Sequence, residues 1–140
     1  MTKMAFSTEI KLRKAIRDSL LADASLISKL GGPHVYDEAP RNQAGAYIVF
    51  TQGETRDWST MTEEGAEHLL TLEVWSPKTG AREALEVSGR VADILHEAPL
   101  PMTGATCVHA RIISVETLRQ NANRFVRARI RLRALVELTS

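Results

Sequence analysis

The C-terminal stretch from Arg124 to Leu138 alternates apolar and polar residues with a period of two. Because successive side chains of a strand point to opposite sides, this pattern predicts a long β-strand with one buried face. A helix would spread the same residues around its circumference. The apolar face consists of Val126, Ala128, Ile130, Leu132, Ala134, Val136 and Leu138. The other face carries what we call the arginine stripe: Arg127, Arg129, Arg131 and Arg133.

A second apolar and β-branched run, from Cys107 to Leu118, precedes this strand, and the turn-forming residues 120–123 separate the two. The pair predicts a long C-terminal β-hairpin. Pairing Arg119 with Arg124 makes the two apolar faces coincide, which is the condition that fixes register. The resulting cross-strand pairs are Ile113–Ile130, Ser114–Arg129, Val115–Ala128 and Glu116–Arg127.

The arginine stripe places like charges at intervals of roughly 6.6–6.8 Å along one face. In the predicted register, Glu116 offsets only part of this charge. From Arg111 to Arg133 there are seven arginines and one glutamate, a net charge of +6, whereas the whole chain carries +1. The remainder is therefore acidic, at −5. A chain divided in this way is suited to pairing with copies of itself or to presenting its basic strand to nucleic acid.

The length of 140 residues predicts one domain with a sizeable core. A single cysteine, Cys107, excludes an intrachain disulfide and a cysteine-based metal cluster. The absence of an 18-residue apolar run predicts no membrane span, and we expect a soluble protein in a reducing compartment.

The remaining periodicities predict two main helices and further strands. The first helix starts at Ser7 or Thr8, and its buried stripe is Leu12, Ala15, Ile16 and Leu20. A short helix over 24–30, strands over 46–52 and 66–75, and a second main helix over 81–97 follow. In that second helix we expect a Glu86–Arg90 pair at i,i+4, and close packing of Gly89 on a sheet.

Residues Gly53–Gly65 form a polar stretch that predicts a long loop, and long loops are usually functional or mobile. It is acidic, because Glu54, Asp57, Glu63 and Glu64 oppose Arg56 alone. Trp58 within it has two open interpretations: it packs back onto its own core, or it anchors a partner.

No catalytic constellation emerges from the residue pattern. The four histidines lack metal-ligand spacing, and the Gly31-Gly32 pair lacks the lysine of a phosphate loop. Cys107 and His109 share one face of the predicted strand, but at roughly 6.6–6.8 Å they resemble a thiol–imidazole pair only weakly. A small hydrolase or thiol enzyme would need a deep pocket around them. We expect no enzyme activity, no metal and no cofactor.

An ordered series of short motifs, from about Glu9 to Glu137, resembles the small tail-terminator (tail-completion) family of long-tailed phages. It is also similar to the versions carried by gene transfer agents and prophages. These motifs are structural, so the resemblance depends on their number and order. They are Gly31-Gly32, Val35–Asp37, Tyr47–Phe50, Thr55–Ser59, Gly65–His68, Leu72–Ser76, Leu95–Leu100 and Arg133–Glu137.

The resemblance implies an α+β fold: a mixed, mostly antiparallel β-sheet with two α-helices packed on one face. It implies a structural protein of the virion tail, made in the bacterial cytoplasm, that forms a homo-oligomeric ring, usually of six copies. Such a ring caps the major tail tube protein, meets the head–tail connector or stopper protein, and lets DNA pass through its lumen. The resemblance supplies no active site.

A heterologous ring needs two unlike, complementary surfaces on each subunit. We expect one of them to be the arginine stripe and the other the acidic stretch, with Glu54, Arg56, Asp57, Trp58, Glu63 and Glu64. The alternative is a small nucleic-acid-binding module that uses the C-terminal Arg-rich strand. Such modules need exposed aromatic residues on which bases stack, and only Phe125 lies near the strand in the sequence.

Overall fold

A computed structural model describes residues 5–78, 80–119 and 126–139. Within these residues a single 3-10 turn, Ala5–Ser7, leads into the first helix. The helices are α1 (Thr8–Leu21), α2 (Ala24–Leu30) and α3 (Arg82–Leu95). The strands are β1 (Val35–Tyr36), β2 (Tyr47–Asp57), β3 (Gly65–Ser76), β4 (Ala105–Arg119) and β5 (Val126–Leu138).

The strands form one sheet in the order β1-β2-β3-β5-β4. β1 runs parallel to β2, and the other neighbouring pairs are antiparallel. The fold is therefore α+β with a mixed, mostly antiparallel sheet and a long C-terminal hairpin, which confirms the prediction. In the described part of the chain, the helices are too short or too polar to cross a membrane.

The helices and the sheet enclose one apolar core. α3 contacts β3, β4 and β5, while α1 and α2 pack against α3. The stripe predicted for α1 is buried, and so are the even-numbered residues of β5 from Val126 to Val136. Each buried Leu, Ile or Val side chain contributes roughly 1.5–3 kcal/mol relative to its exposed state. We call the opposite side of the sheet, which carries the odd-numbered residues of β3 and β5, the open face.

The predicted register of the C-terminal hairpin is wrong near its turn. Arg119 pairs with Val126, and Glu116 lies opposite Arg129. The predicted turn residues 120–123 lie outside the described part of the chain. β4 also contains two bulges, at Val108 and Ile113, each of which shifts the register by one residue.

The bulge at Val108 also corrects the expected Cys107–His109 arrangement. Cys107 pairs with Val136 on the helix side, whereas His109 pairs with Leu135 on the open face. The thiol packs against the core and donates to the carbonyl oxygen of His109 at 3.6 Å. Burial raises the pKa of Cys107. The two side chains therefore do not form a thiol–imidazole pair, and a buried thiol of raised pKa is a poor nucleophile.

The predicted long loop over Gly53–Gly65 is also wrong. β2 continues to Asp57 and β3 begins at Gly65, so the connection spans only residues 58–64. We call residues 53–68, which lie beyond the β2 bulge at Thr51, the β2–β3 arm. Its β2 side chains are mostly exposed on both sides, and for that reason the segment looks like a loop in the sequence.

Two expectations for α3 differ from the structure. Arg90 donates to Asp23 (Nε to Oδ1, 3.1 Å), while Glu86 accepts from Arg82 (3.5 Å). Arg90 therefore joins α3 to the start of α2, where Asp23 caps the backbone N–H of Leu26. Gly89 is exposed, and a Cβ placed there would meet nothing within 4 Å.

Candidate subunit interface

The arginine stripe lies on the open face, and β3 supplies carboxylates beside it. Glu73, which is 5% exposed, lies between two arginines. Its Oε2 accepts from Nε of Arg129 at 3.1 Å, and its Oε1 is 3.6 Å from Nη1 of Arg127. A nearly buried carboxylate with two cationic partners offsets the repulsion between those partners.

Two more carboxylates extend this compensation. Arg129 also reaches Glu116 on β4 at 3.5 Å, and Arg133 donates to Glu67 on β3. The sequence alone indicated only partial relief by Glu116. It missed Glu67 and Glu73, because they become neighbours of the stripe only through the pairing of β3 with β5. The period of β3 carries a weak signal, since both glutamates share one face of the strand.

Arg131 is the member of the stripe for which the described residues provide no ion-pair partner. Its side chain is exposed, and it lines a groove of about 630 Å³ on the open face. Two bulged residues, Thr51 on β2 and Ile113 on β4, lie at opposite sides of this groove. An anionic group entering here would meet a guanidinium that no carboxylate of the described residues holds in an ion pair.

The other end of the stripe is packed against aromatic residues. The guanidinium carbon of Arg127 lies 4.8 Å from the ring centroid of Trp75. Trp75 stacks on Tyr47, with centroids 6.3 Å apart and an interplanar angle of 9°. Burial, with a smaller contribution from Glu73, raises the pKa of Tyr47. Arg127 is thus held by an ion pair and by a cation–π contact.

The acidic residues predicted for the second surface lie on the β2–β3 arm, in different settings. Glu54 pairs with Arg56 at 2.8 Å, and the hydrogen bond from Arg56 lowers the pKa of Glu54. Asp57 accepts from the backbone N–H of Ser59 at 3.2 Å. Glu64 is half-buried, whereas Glu63 is exposed. Glu63 therefore offers a carboxylate for which the described residues provide no ion-pair partner.

Trp58 packs back onto its own arm. Its backbone N–H donates to the carbonyl of Gly65 at 3.0 Å, and its ring lies over Gly65, where a Cβ would come within 3.0 Å of Cε3. The side chain is half-buried, so part of it still faces outward. Its role as an anchor for a partner stays a prediction. Met61, in the same turn, is fully exposed.

The base of the arm is fixed to α1 by a polar network around His68. His68 is completely buried. Its Nε2 lies 2.8 Å from the hydroxyl of Thr8, and its Nδ1 lies 3.0 Å from the hydroxyl of Thr55. Thr55 donates to Glu9 at 3.2 Å, so it accepts from Nδ1–H of the imidazole. Burial lowers the pKa of His68 and favours this neutral form.

This network has the order of a hydroxyl, an imidazole and a carboxylate, but it lacks access for a substrate. Thr8 is 1% exposed, and Thr55 separates the imidazole from Glu9. Sequence reasoning missed it because Thr8 and His68 are 60 residues apart. Within residues 5–78, 80–119 and 126–139, no group of three His, Cys, Asp or Glu side chains is arranged to hold a metal ion.

The chain is similar to known proteins in both sequence and structure. A family model described as "Tail completion protein gp17" matches residues 14–137. A solved structure titled "Virion of native gene transfer agent (GTA) particle" contains a chain that superposes with a TM-score of 0.86 at 27% sequence identity. That match covers 94% of this chain and 98% of the other. The comparison with curated proteins gives no match.

Proposed function

Because the chain belongs to the tail completion protein gp17 family, we propose that it assembles into a ring that caps the tail tube and joins the tail to the head connector. It is a structural tail protein of a phage or gene transfer agent particle. The match along nearly the full length of a chain from such a particle is the observation that carries this proposal. In the assembled particle, DNA passes through the lumen of the ring.

The proposed ring contains six copies, and each copy acts as one domain with two unlike surfaces. The open face carries the arginine stripe, and the β2–β3 arm carries an excess of acidic residues. Heterologous contact between these surfaces generates a closed ring when the rotation between subunits closes. The major tail tube protein and the head–tail connector or stopper protein bind the two sides of this ring.

The intrachain ion pairs bear on the alternative, a nucleic-acid-binding module. Glu67, Glu73 and Glu116 offset the charge of most of the stripe, and a phosphate backbone would have to compete with them. This observation favours a role in assembly. The alternative stays a prediction, and the salt dependence of retention on DNA tests it, because a steep slope with micromolar affinity would support it.

Light scattering tests the proposed function. It measures the mass of the purified chain by itself and after mixing with purified tail tube protein. In the mixture we expect the chain to form a ring. Negative-stain images should place this ring at the end of the tube. A chain that remains monomeric and leaves the tube ends bare would overturn the proposal.

A further inference from the structure

Because the described residues provide no ion-pair partner for Arg131, we infer that its groove binds the β2–β3 turn, residues 58–64, of a second copy of this chain. Glu63 of the second copy pairs with Arg131, and Met61 packs against the apolar side of the groove. This inference rests on the proposed ring and names the contact that closes it.

Two bulges shape the groove at the level of Arg131. Thr51 is the extra residue on β2, and Ile113 is the extra residue on β4. Between them run the directly paired residues Thr71, Arg131 and Ser114. A bulge bends its strand and increases the local twist, and here bulges flank the same row on both sides. Thr71 and Arg131 of this row line the groove between the two bulged residues.

The groove combines a cation with an apolar border. Glu54 also lines it, but this carboxylate is already paired with Arg56. Arg131 is exposed and lacks an ion pair within the described chain, whereas Glu73 holds the neighbouring Arg129. On the β4 side, the groove is lined by Ile113, which is 52% exposed. The complementary ligand carries a carboxylate and an apolar side chain a short distance apart.

The β2–β3 turn has this composition and is already ordered. Thr60 N–H donates to the carbonyl of Glu63 at 2.8 Å, and the hydroxyl of Thr60 accepts from Glu63 N–H at 3.1 Å. These bonds present Met61 and Glu63 on the outside of a closed turn. Because the turn is preorganised, its binding costs little conformational entropy.

The turn of the same chain does not reach its own groove. Gly65, at the end of the turn, pairs with Glu137, which lies six residues along β5 from Arg131. That separation is about 20 Å at 3.3 Å per residue. The two surfaces are therefore matched in chemistry but lie at different positions on one subunit, as a heterologous contact requires.

Assembly by adding a strand of a second copy to the edge of β4 is less favourable. The end of α3 already covers the middle of this edge: His96 Nδ1 accepts from Ile112 N–H at 3.1 Å, and Glu97 N–H donates to the carbonyl of Ala110 at 2.7 Å. Bulges at Val108 and Ile113 interrupt the edge on both sides of this cover. Covered and bulged edges resist the addition of a strand, so the open face is the better docking surface.

Two single charge reversals, Arg131→Glu and Glu63→Arg, test the inference. Each variant alone places like charges at every interface of the ring, and we expect ring formation to fall at least tenfold. When the two variants are mixed, a reversed groove meets a reversed turn at one interface, and native partners meet at the next. The mixture therefore restores a ring in which the variants alternate.

The control is Arg82→Glu, which makes the same charge change at an exposed side chain of α3, and we expect it to leave assembly unchanged. Circular dichroism and thermal unfolding show that each variant folds.

If the wild type forms rings and the single reversals do so equally well, the inference is wrong and the proposed function stands. If the reversals abolish rings and the mixture does not restore them, Arg131 binds another group, such as the tube protein or DNA. If the wild type itself forms no ring, the proposed function fails first.

Discussion

Glu73 on β3 lies directly opposite Arg129 on β5, and the Nε of the arginine donates to its carboxylate over 3.1 Å. This contact joins two strands whose paired residues are 56 positions apart in the chain. It also determines which part of the arginine stripe is available to a partner, because Arg127 shares the same carboxylate.

Replacing Glu73 by Gln removes the carboxylate that Arg127 and Arg129 share, and Arg129 keeps only its contact with Glu116 at 3.5 Å. Loss of one member of a buried ion pair is strongly destabilising, and partial exposure of the arginines reduces the cost here to roughly 2–3 kcal/mol. Urea unfolding measures the change. The matched control is Glu116→Gln, whose carboxylate is half-exposed, and its expected cost is below about 1 kcal/mol. Equal losses of unfolding free energy in the two variants would contradict the claim that Glu73 is the main anion of the arginine stripe.

The buried His68 predicts a pH dependence of stability. Burial lowers its pKa in the folded chain below the ordinary 6.5, so the unfolded chain binds more protons at mildly acid pH. The contribution of the neutral imidazole is complete above pH 6.5 and is lost as the pH falls below that value. We expect His68→Gln to flatten this part of the curve of unfolding free energy against pH. The control His109→Gln keeps the slope, and a slope that persists in His68→Gln would refute the assignment.

Two glycine substitutions are expected to act in opposite directions. Gly89→Ala adds a methyl group in open space on α3 and stabilises the protein by about 1 kcal/mol. Gly53→Ala places a Cβ within 2.8 Å of the Glu9 carboxylate carbon and displaces the group that accepts from Thr55. The lost hydrogen bond costs about 1 kcal/mol. Thermal unfolding compares the two, and a stabilising Gly53→Ala would show that Glu9 does not fix the arm.

Local periodicity was sufficient to predict the elements with one continuous buried face. The alternation in β5 and the stripe of Leu12, Ile16 and Leu20 in α1 reflect burial on a single side, and both predictions are confirmed. The sheet order and the partners of the stripe were not accessible in the same way. They depend on pairing between distant strands, and nothing in the local pattern of β5 indicates Glu67 or Glu73.

The β2–β3 arm and the β4 bulges show why register is harder to predict. Residues Gly53–Asp57 bury little on either side, and backbone pairing with β3 keeps them extended. Val108 and Ile113 are good strand formers, so the sequence gives no sign that each is an extra residue. Arg131 and Glu63 therefore stand out among the predicted interface residues only once the strand pairing and the bulges are known.

The most direct test of the central claim is cryo-electron microscopy of the assembled particle that contains this chain. We predict a closed ring of this chain between the tail tube and the head connector, with Arg131 of each copy beside Glu63 of the next. Density for the chain elsewhere in the particle, or as an isolated subunit at the tube end, would contradict it.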